Sequence, residues 1–260
     1  MKRVALTIAG SDPSGGAGIQ ADLKVFHQFG VYGEAAVTLL TVQNTRTVAR
    51  IETLDPGLVA EQISAVIGDI PPHAAKTGAL GNAAIVRAVA GLARRFNFPL
   101  VVDPVMVSKH GAPLLDAPAR EAVLGQLLPY AALVTPNLPE AAALAGFEVA
   151  SVEQMREAAR RIHGLTGTSV LVKGGHLAGA ALDVLFDGAE LHEYVSERFD
   201  TPHTHGTGCT FSAAITACLA LDMALPEAVG RAKRFVAAAI RGNPGLGGGC
   251  GPVNHHAEVV

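Results

Sequence analysis

The stretch RVALTIAGSDPSGGAGIQADLKVF, residues 3–26, joins an apolar run, a glycine-rich loop and a helix-like pattern. The run RVALTIAG predicts a buried strand, and Ile19, Leu23 and Phe26 recur at helical spacing after the loop. Glycine in the loop SDPSGGAG lets the backbone pass close to a neighbour, which is a phosphate, a flat organic ring or the adjacent strand. The stretch therefore predicts a β-loop-α unit that holds one of these three neighbours against its loop.

Strand-like and helix-like runs alternate along the rest of the 260 residues. Near-unbroken apolar strands between helices predict a mainly parallel sheet covered on both faces, a three-layer α/β/α sandwich. The segment from Leu182 to Val195 contains Asp187-Gly188 and predicts a hairpin, which forms an antiparallel edge. No low-complexity linker divides the chain, so we expect one domain over residues 1–260. Two further helices are expected at 58–67 and 83–95, and two more begin at Leu138 and after Ser151. Gln154, three residues after Ser151, completes a capping-box pattern. A final pair of helices closes the chain.

Charge, cysteine content and the N-terminal sequence indicate the compartment and the kinds of partner to expect. The net charge of -3 provides no positive field for nucleic acid or an anionic membrane. The apolar run after the basic start MKR is about seven residues, too short to span a membrane and poor as a secretory signal. The three cysteines show neither metal-type spacing nor an even disulfide framework. We therefore expect a cytoplasmic protein with small-molecule partners and no nucleic-acid or membrane partner.

Polar residues cluster where the predicted strands end. Ligands of open parallel sheets bind beyond the C-terminal ends of the strands, so these residues predict a site at that edge. They are Ser11, Asp12, Gln43, Asn44, Lys76, Thr77, Asp103, Asn137 and Lys173.

The segment HGTGCTFSAAI, residues 205–215, predicts an anion-binding turn at a helix N-terminus. Gly206 and Gly208 permit a tight turn, and the free N–H groups and the helix dipole then favour a negative charge. Cys209 lies at the same terminus, where the pKa of a thiol tends to fall. A capped helix with a small buried cysteine is the alternative interpretation.

Further residues at the strand ends suit phosphoryl transfer. In TPNLPEA, Asn137 and Glu140 are three residues apart at a helix start, and an amide with a carboxylate can hold Mg²⁺ or its water shell. Glu140 alternatively only stabilises the first helical turn. Asp103 after LVV and Lys173 in VKGGH are either nucleotide contacts or solvated strand ends.

Other nucleotide and metal motifs are absent from the sequence. SDPSGGAG has neither the lysine and spacing of a Walker A loop nor the pattern G-x-G-x-x-G of a dinucleotide fingerprint. The pairs His203 with His205 and His255 with His256 have no third ligand at a suitable spacing, so surface or loop histidines are favoured over a metal site.

These segments resemble, in order and over nearly the whole chain, the bacterial hydroxymethylpyrimidine and phosphomethylpyrimidine kinases of thiamine synthesis. That family belongs to the ribokinase-like superfamily. The matching pieces are IAGSDPSGGAGIQAD, TVQNT, KTG, VVDPVMVSKHG, TPNLPEA, VLVKGGH, HGTGCTFSAAI and the tail GPVNHH.

The resemblance implies a ribokinase-like kinase that uses ATP and Mg²⁺. Its substrates are expected to be 4-amino-5-hydroxymethyl-2-methylpyrimidine and then the monophosphate, which gives the diphosphate. The resemblance also suggests a homodimer. The presence of a cysteine where sugar kinases of the superfamily usually carry aspartate points to the pyrimidine branch.

The resemblance further implies roles for particular residues. The opening loop and the TVQNT strand end line the pyrimidine, so the flat ring becomes the expected neighbour of the loop at Gly10. In the GTGC turn, Gly206 and Gly208 form the anion hole and Cys209 is the base. The remaining residues are Gln43, Ala17, Asp22 and Val42 for the substrate, Lys173, Asp103 and Thr207 for the nucleotide, and Glu140 and Asn137 for Mg²⁺.

Three positions depart from the expected family pattern. Ala79 stands where a methionine is expected, His203 where asparagine is commoner, and Cys250 lies in a glycine-rich tail expected near the adenine.

A pyridoxal kinase is the nearest alternative function, since a related pocket accepts another flat ring with a hydroxymethyl arm. A vitamin-binding protein without catalysis is a further alternative, and the intact Cys209, Asn137 and Glu140 weigh against it. A missing glycine fingerprint disfavours an NAD-dependent oxidoreductase.

Overall fold

The computed structural model describes residues 2–107, 111, 114–175, 177, 179 and 181–259. Within these residues the strands are β1 (Val4–Ser11), β2 (Tyr32–Gln43), β3 (Val48–Thr53), β4 (Ala74–Thr77), β5 (Leu100–Val102), β6 (Leu133–Val134), β7 (Ser169–Lys173), β8 (Ala181–Phe186) and β9 (Leu191–Ser196). They form one nine-stranded sheet in the order β3-β2-β1-β4-β5-β6-β7-β8-β9.

Six helices of the same residues lie between these strands in the chain, and two more follow β9. They are α1 (Gly18–Gln28), α2 (Pro56–Asp69), α3 (Ala83–Ala93), α4 (Ala117–Ala122), α5 (Leu138–Ala145), α6 (Val152–Thr166), α7 (Thr207–Ala220) and α8 (Leu225–Arg241). A π-helical turn at Val123–Leu127 and a 3-10 turn at Leu128–Tyr130 follow α4. Each helix expected from the sequence is present, whereas α4 and the two turns were not predicted.

The pairing of the strands confirms a mainly parallel sheet with antiparallel edges. Parallel pairing joins β2, β1, β4, β5, β6 and β7 in that order. Antiparallel pairing adds β3 at one edge and the hairpin of β8 and β9, which was predicted, at the other. The strand β3 was missed because its exposed Arg50 and Glu52 break any apolar run. An edge strand buries less of its surface and so tolerates charges.

Helices cover both faces of the sheet, which confirms the three layers. Leu6 and Ile8 of β1 belong to a core that α2 to α6 complete, whereas Ala5 belongs to a second core with α1, α7 and α8. Alternate residues of a strand point to opposite faces of the sheet, so one apolar strand contributes side chains to both hydrophobic cores. Among the described residues, no helix combines the length and the apolar composition that crossing a bilayer requires.

The expected capping box at α6 is only half formed. The side chain of Ser151 accepts a hydrogen bond from the N–H of Gln154 at 3.2 Å, as predicted. The side chain of Gln154 accepts from the N–H of Ala150 at 2.8 Å instead of that of Ser151. The return bond is therefore displaced by one residue, and it still satisfies a free N–H before the helix.

Glu34 is a buried carboxyl group on β2. Its side chain is only 7% exposed, and neither oxygen has a hydrogen-bond donor among the described residues. Burial, with the nearby negative charge of Asp69, raises the pKa of Glu34 to about 7. A folded-state pKa above the ordinary value of 4.5 makes the folded protein hold this proton longer than the unfolded chain.

We expect the free energy of unfolding to fall as the pH rises from about 4.5 to about 7, because the unfolded chain ionises Glu34 first. Glu34→Gln stays neutral, so it should remove this part of the pH dependence and stabilise the protein above neutral pH by about 1–3 kcal/mol. Urea unfolding near pH 5 and near pH 8 measures both effects. The exposed Glu52→Gln is the control, and equal pH slopes for the parent and Glu34→Gln would contradict the raised pKa.

Candidate active site

The N-terminus of α7 forms the glycine turn that the sequence predicts to bind an anion. Gly206 precedes the helix with a φ of 78°, and a Cβ atom there would lie 1.7 Å from the carbonyl oxygen of Gly16. Only glycine tolerates both the left-handed backbone and this contact. The N–H of Thr210 closes the first turn on the carbonyl of Gly206 at 2.8 Å. The N–H groups of Gly208 and Cys209 precede that bond and face outward, where the helix dipole favours an anion.

Lys173 and Asp103 lie beside this turn, at the C-terminal ends of β7 and β5. The Nζ of Lys173 donates to Oδ1 of Asp103 at 3.0 Å. A Cβ atom on Gly208 would lie 3.4 Å from that Nζ, so the first turn of α7 faces the pair. Burial alone would lower the pKa of Lys173, but Asp103 and Glu140 raise it above its ordinary value. The ammonium group is therefore charged, and it adds a cation to the anion-binding turn.

Asn137 and Glu140 form the complete capping box of α5. The side chain of Asn137 accepts from the N–H of Glu140, and Oε2 of Glu140 accepts from the N–H of Asn137, both at 2.9 Å. Oε1 of Glu140 also accepts from the N–H of Met106 at 3.3 Å. Burial raises the pKa of Glu140 to about 6, against the lowering effect of Lys173. Glu140 thus does stabilise the first turn of α5, and each of its carboxylate oxygens keeps a lone pair for a further ligand. The Mg²⁺ role of Glu140 and Asn137 stays a prediction.

The expected fall in the pKa of Cys209 is not observed. Burial raises the pKa of this thiol to about 11, although the ammonium of Lys76 and the N–H of Gly18 oppose the shift. At this position the free energy needed to remove a thiolate from water exceeds the stabilisation that the helix N-terminus and one nearby cation provide. Cys209 is therefore a protonated thiol at neutral pH, at the place where the sequence predicted a base.

Asp22, which was predicted to contact the substrate, is instead wholly buried. Its Oδ1 accepts from Nζ of Lys76 at 2.8 Å and its Oδ2 from the hydroxyl of Thr7 at 2.6 Å. Both side chains of the ion pair are 0% exposed. Burial would lower the pKa of Lys76, but the carboxylate of Asp22 raises it above its ordinary value. The pair thus places a fixed positive charge beneath α7 near Cys209.

Gln43, His205 and Asp12 meet between the ends of β2 and β1 and the start of α7. The Nε2 of Gln43 lies 3.1 Å from Nε2 of His205, and the same ring nitrogen lies 2.7 Å from Oδ2 of Asp12. Asp12 Oδ2 also accepts from the N–H of Ala17 at 2.9 Å. Two residues of the predicted substrate group, Gln43 and Ala17, are therefore joined through Asp12 and His205.

Two other predicted contacts do not join this group through their side chains. Val42 is 58% exposed and borders a shallow groove with Leu40 and Arg50 at the outer part of β2. The hydroxyl of Thr207 donates to the carbonyl of Thr204 at 2.7 Å, so it is engaged within the turn that precedes α7.

The close neighbour of Gly10 among the described residues is the adjacent strand. A Cβ atom on Gly10 would lie 2.5 Å from Cδ1 of Leu39 on β2. Packing against this strand accounts for the glycine, and the contact of the loop with a flat ring stays a prediction. The requirement is one of packing between β1 and β2.

The histidines and the tail also differ from the expectation. His205 and His255 are in loops but buried, and only His203 and His256 keep appreciable exposure. Among the described residues no group of three or more His, Cys, Asp or Glu side chains is arranged to hold a metal ion. The N–H of Cys250 donates to the carbonyl of Thr45 at 2.8 Å, so the tail lies near the end of β2 that carries Gln43.

Sequence reasoning singled out Asp12 and Lys76 only as polar strand ends and treated His205 as a loop residue. The D-P-S sequence does indicate a turn closed by an aspartate, and the Ser14 N–H and hydroxyl donate to Asp12 Oδ1 at 2.9 and 2.7 Å. Nothing in the sequence indicates that His205, far along the chain, completes that cluster.

The chain is similar to a known protein family and to several of its members. The phosphomethylpyrimidine kinase family matches residues 12–254. The chain is 46% identical over 261 residues to the hydroxymethylpyrimidine/phosphomethylpyrimidine kinase of Staphylococcus aureus strain MRSA252, covering 99% of this chain and 95% of that protein. It is 52% identical over 252 residues to the thiamine biosynthesis bifunctional protein ThiED of Geobacter sulfurreducens, covering 96% of this chain but only 51% of that protein.

Solved structures include both kinds of vitamin kinase. An ADP complex of Bacillus subtilis pyridoxal kinase superposes with a TM-score of 0.92 at 41% identity, covering 99% of this chain and 98% of that one. The phosphomethylpyrimidine kinase of Clostridium difficile 630 superposes with a TM-score of 0.82 at 42% identity, covering 92% of this chain and 100% of that one. With the family match over most of its length and these relatives, the chain belongs to the phosphomethylpyrimidine kinase family.

Proposed function

We propose that this protein transfers the γ-phosphoryl group of ATP to the hydroxymethyl oxygen of 4-amino-5-hydroxymethyl-2-methylpyrimidine, and then phosphorylates the monophosphate to the diphosphate. The observation that carries the proposal is the position of Cys209 at the open N-terminus of α7, beside the Lys173–Asp103 pair. A base, an anion hole and a cation thus converge on one point, as phosphoryl transfer requires.

Each group has a defined part in this transfer. The N–H groups of Gly208 and Cys209 hold oxygens of the transferred phosphoryl group, and Lys173 neutralises charge on the nucleotide phosphates. The sulfur of Cys209 takes the proton of the substrate hydroxyl as the oxygen attacks phosphorus. The buried ammonium of Lys76 and the N–H of Gly18 favour the thiolate form that this step needs.

The carboxylates near Lys173 suit Mg²⁺ as a cofactor. Asp103 and Glu140 both act electrostatically on Lys173, and both are buried. Magnesium usually binds through one or two carboxylates together with phosphates and water, so the absence of a larger acidic cluster among the described residues is compatible with it. Bound Mg²⁺ would neutralise charge that develops between the nucleotide phosphates.

We expect Glu140→Gln to raise the Mg²⁺ concentration for half-maximal rate and to lower kcat by about tenfold or more, with little change in pyrimidine binding. Glutamine keeps the helix-capping role, because the capping box accepts either residue. A magnesium titration of the rate measures the effect. Glu153→Gln in the first turn of α6 is the matched control, and an unchanged titration in Glu140→Gln would leave Glu140 with only its capping role.

We expect Gln43 to decide which ring is accepted. The aminopyrimidine carries an exocyclic amine beside a ring nitrogen, and an amide can meet both, whereas pyridoxal carries no such amine. Gln43→Glu keeps an acceptor but loses the donor, so kcat/KM for the aminopyrimidine should fall by roughly tenfold to a hundredfold, since an unpaired buried partner costs about 1–3 kcal/mol. If the parent phosphorylates pyridoxal, Gln43→Glu should lower kcat/KM for pyridoxal by a smaller factor than for the aminopyrimidine.

Steady-state rates on both alcohols, with the parent, Gln43→Glu and Gln43→Leu, measure this preference. Asn44→Asp, at the next position but outside β2, is the control for added charge. Equal losses of kcat/KM on the two substrates would mean that Gln43 supports the loop and does not discriminate between the rings.

A pyridoxal kinase remains the second candidate function, since the Bacillus subtilis structure with that activity superposes over almost the entire chain. A coupled assay of ATP consumption with the pyrimidine alcohol, its monophosphate and pyridoxal, each alone, separates the candidates. Turnover of the first two supports the proposal, and turnover of pyridoxal alone would replace it. An absence of turnover with all three would favour a binding protein.

We further infer one kinase domain over residues 1–260 that acts as a homodimer in the cytoplasm. That compartment supplies ATP and keeps thiols such as Cys209 reduced. The exposed Leu40 and Val42 on β2 offer an apolar surface for a second copy. Analytical ultracentrifugation distinguishes a dimer from a monomer.

A further inference from the structure

Asp12 is a buried carboxylate at the centre of the loop after β1. Its side chain is 3% exposed, and it accepts hydrogen bonds from the N–H and hydroxyl of Ser14, the N–H of Ala17 and the ring of His205. Burial works against ionisation, but the hydrogen bonds from His205 and Ser14 prevail and hold the pKa of Asp12 below its ordinary value. Asp12 is therefore an ionised acceptor at neutral pH.

An ionised acceptor determines where His205 carries a hydrogen. Nε2 of His205 lies 2.7 Å from Oδ2 of Asp12, a distance at which a ring lone pair and a carboxylate would repel each other. Nε2 must therefore carry a hydrogen and donate it to Asp12. His205 is buried among Gly16, Pro252 and Gln43, so the ring is held in place.

The same ring hydrogen acts on the amide of Gln43. The side-chain nitrogens of Gln43 and His205 lie 3.1 Å apart. Two N–H donors facing each other repel, whereas the amide turned by half a rotation presents its carbonyl oxygen to the ring hydrogen. The oxygen then faces His205, and the NH₂ group is turned away from it.

We propose that Asp12 and His205 fix the orientation of the Gln43 amide and are thereby specificity-determining positioning residues for the substrate ring. This inference rests on the proposed function, in which Gln43 contacts the ring. A fixed amide presents one donor and one remaining acceptor lone pair in a constant order. That order matches a ring nitrogen beside an amine, and an amide free to rotate would accept either order and so discriminate less between rings.

The ¹⁵N spectrum of the histidine rings in the parent protein, without substrate, tests the first step and needs no turnover. A protonated Nε2 on His205, assigned by comparison with His205→Gln, is the expected result. A bare Nε2 would overturn the proposal, because the ring would then accept from the Gln43 NH₂ group. This measurement stays informative if the protein phosphorylates neither alcohol, so it separates failure of this inference from failure of the proposed function.

The second test compares His205→Gln with His205→Leu. Glutamine places an N–H donor near the position of Nε2, whereas leucine fills the space without one. We expect His205→Leu to lower kcat/KM for the aminopyrimidine by about tenfold, mainly through KM, with the KM for ATP unchanged and the preference over pyridoxal reduced. His205→Gln should restore most of the preference.

His203→Leu is the control, since His203 accepts from the N–H of Gly251 and lies in the same loop. Thermal unfolding of each variant verifies the fold. Equal losses of kcat/KM in His205→Gln and His205→Leu on both substrates would overturn the proposal and leave His205 with a packing role. Unchanged kinetics in His205→Leu would also overturn it.

Discussion

Cys209→Ala should reduce kcat for the aminopyrimidine by about 10²- to 10⁴-fold while leaving the fold and substrate binding nearly intact. The expected loss is that of a general base, because in the proposed transfer the sulfur of Cys209 takes the proton of the substrate hydroxyl. Steady-state kinetics and calorimetric binding measure the two effects. Cys218→Ala is the matched control, since this thiol lies on the same helix and its pKa is likewise raised to about 11 by burial. Turnover of Cys209→Ala within about twofold of the parent would exclude the role.

The raised pKa of Cys209 gives the rate a pH dependence of defined sign. The thiol is protonated at neutral pH and its pKa is about 11, so the thiolate fraction grows with each rise in pH below that value. We expect kcat/KM of the parent to climb between about pH 7 and pH 9, and Cys209→Ala to lose that slope. Cys209→Ser keeps the size of the side chain but holds its proton more firmly, so it should resemble alanine in rate. A flat profile in the parent would contradict the need for a thiolate.

Lys76→Met should lower the free energy of unfolding by about 3–5 kcal/mol, because it leaves the carboxylate of Asp22 buried without its partner. The two side chains are fully buried and 2.8 Å apart, and the hydroxyl of Thr7 cannot replace a positive charge. Urea unfolding at neutral pH measures the change. Lys233→Met is a comparison at a second lysine–aspartate pair, with Asp183, where the side chains keep some exposure and the loss should be smaller.

The double variant Lys76→Met with Asp22→Asn separates charge from packing. Asparagine is neutral and can still accept from Thr7, so most of the lost stability should return. If that double variant is folded, Cys209 loses the pKa-lowering charge of Lys76 and the pKa-raising charge of Asp22 together, so its rate should lie closer to the parent rate than that of Lys76→Met. A double variant as unstable as Lys76→Met would show that the packing of the lysine stem, and not its charge, stabilises the fold.

The sequence predicted the layers of the fold because the apolar runs are long and regular. The run before Gly10, the helical spacing of Leu23 and Phe26 and the Asp187-Gly188 turn each have one strong local interpretation. The strand β3 lacks such a run, and its alternation of charged and apolar residues also suits a loop. Residues 44–47 join it to β2 as a hairpin, but this loop lacks the Asn-Gly or Asp-Gly signal that indicates a hairpin in the sequence.

The site was predicted in part for the same reason. Glycines before an apolar helical pattern indicate a tight turn at a helix N-terminus, and Gly206 and Gly208 lie at that position of α7. Their role in anion binding stays a prediction. The environment of Cys209 depends on Asp22, Lys76 and Asp103, which come from separate elements, and the shift of its pKa follows from burial that only the fold reveals. The contact of Asp12 with His205 likewise joins residues 193 positions apart.

The most direct measurement is a competition between the two alcohols. Equal concentrations of 4-amino-5-hydroxymethyl-2-methylpyrimidine and pyridoxal are incubated with the protein, Mg²⁺ and limiting ATP, and ³¹P NMR resolves the products. The proposed function predicts that the pyrimidine monophosphate forms first and the diphosphate follows, with pyridoxal phosphate as a minor product. Pyridoxal phosphate as the main product, or ATP consumption without phosphorylation of either alcohol, would contradict it.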